Sequence, residues 1–484
     1  MDSSPSALLK VLIPKIPFIF KTALLHSLWL SPTSSKWSLQ TELVINILRQ
    51  LIANPGKPSS ISKQQYQSCK DPGVKGDIWI SRVTAPVPLE DDLRQLLFKT
   101  IDEMKQGDEE YTQPPLLPVG AEWTGYRANV AKDAPEPSIS EEQKYENLMK
   151  EVTSDLTVLY FHGGAYFLMD PSTHRPVTTK IARMTGARVY SVRYRLAPQA
   201  AFPAQLLDAL VAYMYLLYPP EDAYHSAVPP EKIVFGGDSA GGNLSTALLQ
   251  FLLQLHRSSA SGELPAVTWN NKICTIPLPA GVALTSPWLD VTRSLPSIEG
   301  NVKYDYLPPP SITEKSTFPP DSVWPTDPPR LDIFCEGSAL CHPLVSPLAA
   351  MSWEKSPPIF VVSGDETLAD ECSVFAQRLA RQGVKVVWDR FEAMPHCFAM
   401  VLEGLEGSKM CFADYTDFCK RVVHIPGSIK TEGYFISAKT LAKKHVDVEK
   451  LIDISDQDAL DMMRTAQKRR LAGLEREGKA LPML

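Results

Sequence analysis

No Cys-x-x-Cys pair occurs among the eight cysteines of this sequence. That removes the ligand spacing required by zinc sites and thioredoxin-like redox sites. The scattered residues Cys69, Cys274, Cys335, Cys341, Cys372, Cys397, Cys411 and Cys419 read instead as reduced, buried thiols of an intracellular protein. Excess positive charge is also missing. Lys and Arg number 49 against 55 Asp and Glu, a formal net charge of −6, so no nucleic-acid partner is expected. There is no internal repeat. Long unbroken apolar runs are absent too. Residues Ala7 to Leu30 are rich in Leu, Ile, Phe and Trp, but Lys10, Lys15, Lys21, Pro14 and Pro17 interrupt them. This argues against a transmembrane helix. With no compact apolar run before a small-residue cleavage site, no signal peptide is expected either. Two roles remain for the segment: a helix packing over an active-site cleft, or an interfacial helix lying on a membrane. The expected location is intracellular, either cytoplasmic or peripherally associated with an internal membrane.

What the sequence has in quantity is core-forming residues, 44% hydrophobic, and proline, 42 of 484 positions. The proline excess predicts many rigid connections rather than long helices throughout. Short apolar runs of strand length recur at Leu156–Phe161, Ala187–Val192, Lys232–Phe235, Gly281–Leu284, Ile359–Val362 and Val384–Trp388. Strands buried on both faces of a parallel sheet read this way. Helical periodicity lies between them, at Thr173–Met184, Ala204–Leu217, Asn243–Leu255 and Asp370–Gln382. The alternation predicts a doubly wound, mostly parallel α/β sheet. Upstream, Trp37–Ala53 and Glu90–Met104 read as helices, and Ile78–Val83 and Ala121–Tyr126 as strands. Pro58–Gly73, Lys132–Asn147 and His256–Thr275 read as polar connections. Lys439–Gly478 reads as a charged helical stretch whose Lys468-Arg469-Arg470 cluster is a solvated face.

Gly237-Asp238-Ser239-Ala240-Gly241 fits G-x-S-x-G. A chain of this length contains the bare pattern by chance about one time in ten, so context decides. Here a strand precedes it and a helix follows, the setting of a nucleophile elbow in which a sharp turn presents a strained serine. Asn243, in the one glycosylation sequon, starts that same helix and is expected to be buried. His162-Gly163-Gly164-Ala165 follows the strand ending at Phe161 and sits where an oxyanion loop belongs. Gly163 and Gly164 are expected to donate their N–H groups, joined by that of Ala240. His162 is expected to brace the loop.

A serine nucleophile needs a base held in one tautomer, and this fold supplies them in the order Ser, acid, His. Downstream lie His256, His342, His396, His424 and His445. His396 follows the last core strand, in a loop able to hang over Ser239; His342 and His424 are worse placed. The acid should follow Ile359–Val362. Asp370 and Glu371 fall at the start of the next helix, where caps and dipole partners are expected. Asp365 and Glu366 both lie in the loop proper, and local reasoning does not choose between them.

Taken together, these motifs resemble the hormone-sensitive lipase family of α/β-hydrolase esterases. The resemblance runs through His162-Gly163-Gly164-Ala165-Tyr166, Tyr194-Arg195-Leu196-Ala197-Pro198, Phe202-Pro203, Gly236 to Asn243, Ser286-Pro287-Trp288-Leu289-Asp290, Pro343 to Leu348, and Glu366 to Glu371. It implies a serine carboxylesterase or deacetylase acting on a small hydrophobic ester, with catalytic residues Ser239, Glu366 and His396 and no metal or organic cofactor. Glu366 stands where the family usually carries aspartate, and Asp365 is the reserve. The resemblance also implies a helical cap. On it the chain divides into an N-terminal cap segment (1–70), a catalytic core (71–425) with a cap insertion at about 297–342, and a charged helical tail (426–484). Length and N-terminus are similar to fungal members, some of which deacetylate sterols or tailor secondary metabolites. Two other functions fit the same framework: a tailoring enzyme that eliminates or cyclises, and a ligand receptor without catalysis.

Overall fold

The computed structural model describes residues 13–52, 59–259, 263–313 and 318–477. Residues 1–12 of the N-terminal cap segment and 478–484 of the tail lie outside these, as do 53–58, 260–262 and 314–317. One sheet organises the chain. Its strands are β1 (Ile78–Ala85), β2 (Val119–Tyr126), β3 (Thr157–Phe161), β4 (Arg188–Arg193), β5 (Ile233–Asp238), β6 (Gly281–Thr285), β7 (Ile359–Gly364), β8 (Val386–Phe391), β9 (Glu432–Ile436) and β10 (Lys443–Val446). They lie in the order β1-β2-β4-β3-β5-β6-β7-β8-β9-β10. The pairs from β4 across to β9 are parallel, while β1/β2, β2/β4 and β9/β10 are antiparallel.

Helices cover both faces, as the run-like strands require. Beyond the N-terminal pair α1 (Ile16–Ser27) and α2 (Leu39–Ile52), the chain has α3 (Arg175–Thr185), α4 (Ala204–Leu217), α5 (Ala240–Ser258), α6 (Ala369–Arg381), α7 (Glu406–His424) and α8 (Asp456–Glu477). Side chains alternate along each strand. Leu159 and Phe161 enter the core beneath α4, α5 and α6, while Val158 and Tyr160 enter the opposite core beneath α3 and α7. Every residue of α4 is buried, which explains why apolar residues dominate on all its faces, with Asp208 paired to Arg195.

The elements depart from expectation in four places. The polar stretch 58–73 contains a helix at Ile61–Ser68, and 132–147 runs into one at Glu141–Glu151. Ser140 caps the latter with a reciprocal capping box to Gln143. Within 256–275, Ala266–Trp269 and Lys272–Thr275 form a hairpin. The largest correction concerns residues 426–484, expected as a helical tail. They add β9 and β10 to the core sheet before α8 begins. Strands this short carry little periodic signal, and pairing against β8 supplies what propensity does not. Lys443 and Lys444 on the last strand charge the sheet's edge, which discourages pairing with another chain. Nor is the basic cluster of α8 wholly solvated: Arg470 is buried and pairs with Asp332 at 2.6 Å.

Candidate active site

The carboxyl ends of parallel strands are where ligands bind in open α/β sheets. Here β5, β6, β7 and β8 are consecutive neighbours, so the loops that leave them share one rim. Ser239 leaves β5, Glu366 leaves β7 and His396 leaves β8.

Ser239 adopts φ 52° and ψ −120°, a positive-φ conformation that costs a non-glycine residue about 1–3 kcal/mol. Its neighbours hold it there. The Ser239 N–H donates to Thr285 O at 3.1 Å, and the Ser239 carbonyl accepts from Asn243 N and Trp288 N at 3.0 Å each. The flanking glycines are dictated by space. A Cβ on Gly241 would stand 1.9 Å from Phe161 O, and one on Gly237 would stand 2.4 Å from Gly241 O. Asn243 is fully buried, donating to Trp288 O and Val345 O and accepting from the Tyr166 hydroxyl. Its sequon is therefore closed in the folded chain. The Ser239 hydroxyl is half-buried and has no hydrogen-bond partner among the described residues.

His396 Nδ1 lies 2.8 Å from Glu366 Oε2, with both residues buried. The remaining carboxylates of this loop have other work. Asp365 pairs with Arg390 at 2.7 Å and accepts from Ala393 N at 2.8 Å. Asp370 accepts from Ser297 N, and Glu371 accepts from Leu289 N and so holds the loop after β6. The histidine loop closes back over β6, because Cys397 N donates to Ser286 Oγ at 3.1 Å, one residue past the Thr285 carbonyl that holds Ser239. The other histidines are engaged elsewhere: His342 with Ile101 O, His256 with Ile276 O, His424 with Ser154, and His445 against Tyr434 on the last strands.

Burial pushes the Glu366 carboxyl above its ordinary value, against the opposing pull of His396. For His396, burial acts downward, but Cys397 and the Glu366 carboxylate outweigh it and hold the imidazole well above the ordinary histidine value. The Cys397 thiol is itself pushed up to about 11 by burial, so near neutral pH the charge acting on His396 is that of Glu366.

The oxyanion loop requires a correction. Gly163 N donates to Asp238 Oδ1 at 3.1 Å and so is already engaged by the protein. Asp238 is buried and also accepts from the Tyr160 hydroxyl at 2.7 Å, with His174 Nε2 at 3.4 Å. Gly164 sits at φ 109° and Ala165 at φ 51°. Neither donates its N–H to a protein acceptor among the described residues. Ala240 opens α5, where the first N–H groups lack intrahelical partners. The free donors are thus Gly164, Ala165 and Ala240. The sequence pointed to Gly163 rather than Ala165, and the Asp238 contact is what separates the two N–H groups. His162 stacks on Tyr194 with centroids 4.3 Å apart and is driven down to about 4 by burial, a neutral brace for the loop.

The insertion between β6 and β7 straddles the rim. Phe334 stacks on Tyr166 at 3.8 Å, on the oxyanion side, and Tyr306 packs edge-on to His396 at 6.1 Å. The N-terminal segment joins the histidine side, where Trp37 Nε1 donates to Ala393 O at 2.6 Å. A separate cleft of about 520 Å³, lined by Leu295, Ile298, Met462 and Ala466 among others, holds none of Ser239, Glu366 and His396. Among the described residues no cluster of His, Cys, Asp and Glu could hold a metal ion.

Comparison with known proteins gives the same outline. Residues 158–400, half of the chain, match a family described as having the alpha/beta hydrolase fold. An acetyl-hydrolase of Streptomyces hygroscopicus is 27% identical over 240 residues, covering 50% of this chain and 67% of that protein. Lipase 2 of Moraxella sp. is 26% identical, covering 54% and 59%, so the chain spans about three fifths of that relative. An esterase of Acinetobacter venetianus is 28% identical, covering 56% and 77%. Among solved structures, an esterase from the bacterial hormone-sensitive lipase family aligns over 80% of this chain and 99% of its own, with a TM-score of 0.51 at 22% identity. An esterase/lipase from an uncultured bacterium gives a TM-score of 0.53 at 21% identity, with the same coverage. These two likenesses are of fold.

Proposed function

The chain belongs to the α/β-hydrolase fold family, and we propose that it hydrolyses hydrophobic carboxylic esters through an acyl-enzyme on Ser239. The observation that carries this reading is the buried Glu366–His396 hydrogen bond, held on the rim that also presents the strained serine. Ser239 Oγ attacks the ester carbonyl carbon as His396 Nε2 takes its proton. Glu366 at Nδ1 fixes the tautomer and stabilises the imidazolium. The developing oxyanion is received by the N–H groups of Gly164, Ala165 and Ala240, the first two free of protein acceptors among the described residues. His396 returns the proton to the leaving alcohol. Water, activated by the same histidine, then releases the acid and restores Ser239. The ring of Tyr306 beside His396 and the aromatic pair Tyr166–Phe334 favour an apolar acyl or alcohol group. The test is a nitrophenyl ester series with wild type and Ser239→Ala, alongside labelling by a fluorophosphonate. Turnover and labelling in wild type, both lost in the variant, support the reading; full activity of Ser239→Ala overturns it.

We further propose that the N-terminal segment meets an anionic membrane surface. Ile16, Phe20, Leu24 and Leu28 step along one face of α1 and its C-terminal end, each about half exposed or more. Between Ser3 and Thr41 the sequence has four lysines and no Asp or Glu. No described helix is long and apolar enough to cross a membrane. Flotation with phosphatidylserine-containing vesicles, lost in Phe20→Ser/Leu24→Ser while hydrolysis of a water-soluble ester is kept, supports this contact. Absence of flotation by the intact chain overturns it.

A further inference from the structure

The two loops that carry Glu366 and His396 are joined by a carboxylate belonging to neither. Asp305 lies in the insertion between β6 and β7 and is fully buried. It forms no salt bridge among the described residues; the Arg49 guanidinium beside it bonds its main-chain carbonyl instead. All of the Asp305 carboxylate's hydrogen-bond partners are donors, which suits an acceptor-only group. They divide by oxygen. Oδ1 accepts from His396 N at 3.2 Å, Tyr306 N at 2.7 Å and Leu307 N at 3.3 Å. Oδ2 accepts from Thr367 N at 2.8 Å and Thr367 Oγ1 at 2.7 Å. One oxygen therefore holds the main chain of His396, and the other holds the residue next to Glu366.

We propose that Asp305 is a positioning residue: its carboxylate sets the spacing between the Glu366 and His396 loops, so the insertion shapes the catalytic pair. This rests on the Ser239–His396–Glu366 reading and extends it. Neighbouring contacts act in the same direction. Asn301 Nδ2 donates to Glu366 O at 3.0 Å, and Ser297 Oγ donates to Thr367 O at 2.7 Å. Arg49 of α2 reaches the carbonyls of Val302, Lys303 and Asp305, so the N-terminal cap grips the same turn. A small error in the spacing is costly, because proton transfer requires His396 within hydrogen-bond reach of both Ser239 and Glu366.

Asp305→Asn tests the assignment with little change of shape. Its amide keeps one acceptor oxygen and puts an NH2 where the other stood. Whichever way it turns, one of the two loops meets a donor instead of an acceptor. The expected result is a fall in kcat of about 10- to 100-fold with KM within about 3-fold, and slower fluorophosphonate labelling of Ser239 by the same factor. Thr367→Val keeps the main-chain bond and loses the hydroxyl, so a few-fold loss in kcat is expected with the fold intact. The proposal is overturned if folded Asp305→Asn keeps wild-type kcat, or if its loss lies wholly in KM. Should Asp305→Asn fail to fold, Thr367→Val decides, and wild-type kcat there overturns the proposal. Failure of the underlying reading looks different, because wild type itself would then neither turn over the ester nor take the label.

Discussion

The two sides of the active-site rim are braced in different ways. On the oxyanion side, the bracing comes from the sheet itself. Asp238 ends β5, Tyr160 lies within β3, and His162 and Tyr194 follow β3 and β4. A single oxygen of Asp238 receives the contacts that hold the loop. On the acid–base side, contacts from outside the sheet are added to those of Arg390 and Ser286. The insertion supplies Asp305, Asn301 and Ser297, and the N-terminal segment supplies Trp37 and Arg49. The loop after β3 thus leans mainly on residues at strand ends, while the Glu366 and His396 loops also depend on the insertion and the N-terminal segment. Displacing the insertion or the N-terminal segment should therefore disturb the His396 loop before it disturbs the loop at Gly164 and Ala165.

Substitutions can break this contrast, and the largest effects come from the shared centre. Ser239→Ala should lower kcat by about 10⁴-fold or more, because no other group supplies the nucleophile; a burst-free progress curve with a nitrophenyl ester checks it. Glu366→Gln should cost about 10²- to 10⁴-fold. It should also move the acid limb of kcat/KM. Glu366 helps hold His396 above its ordinary value; removing the carboxylate's charge lowers the imidazole pKa, so the limb shifts to lower pH. A limb that stays in place would mean Glu366 does not act on the titrating base.

The next two substitutions sharpen the difference between the sides. Trp37→Phe removes the donor to Ala393 O and should cost about 1 kcal/mol of stability. It should also reduce kcat by a few-fold with little change in KM, measured by thermal melting and steady-state kinetics. Asp238→Asn should have the smallest effect, within about 3-fold in kcat, because the amide oxygen can still accept from Tyr160 and Gly163. Equal damage from Asp238→Asn and Asp305→Asn would erase the distinction between a brace that uses one oxygen and a clamp that uses two.

Legibility in the sequence followed periodicity and local motif. The core strands and α4 were readable because burial on both faces leaves an apolar run, and α4 matches its expected range residue for residue. The short strands β9 and β10, one of them highly charged, carried no such signal. Glu366 and Asp365 were indistinguishable locally, since adjacent carboxylates in a loop differ only in what their side chains reach. The exchange of Gly163 for Ala165 as a donor was hidden for a similar reason. N–H direction is set by the Asp238 contact, made between residues far apart in the chain.

By itself, then, the sequence determined the α/β sheet, the turn at Ser239 and the candidate histidine that the proposed mechanism uses. Each rests on strand burial, on a glycine-bounded turn or on chain order, all of which are local or ordered along the chain. Only the tertiary structure decided that Glu366 pairs with His396 while Asp365 pairs with Arg390, that the Gly163 N–H is engaged by Asp238, and that Asp305 bridges the acid and base loops. Those are contacts between segments tens of residues apart, brought together because parallel strands deliver their loops to one rim. Composition and periodicity have no means of recording where such loops meet.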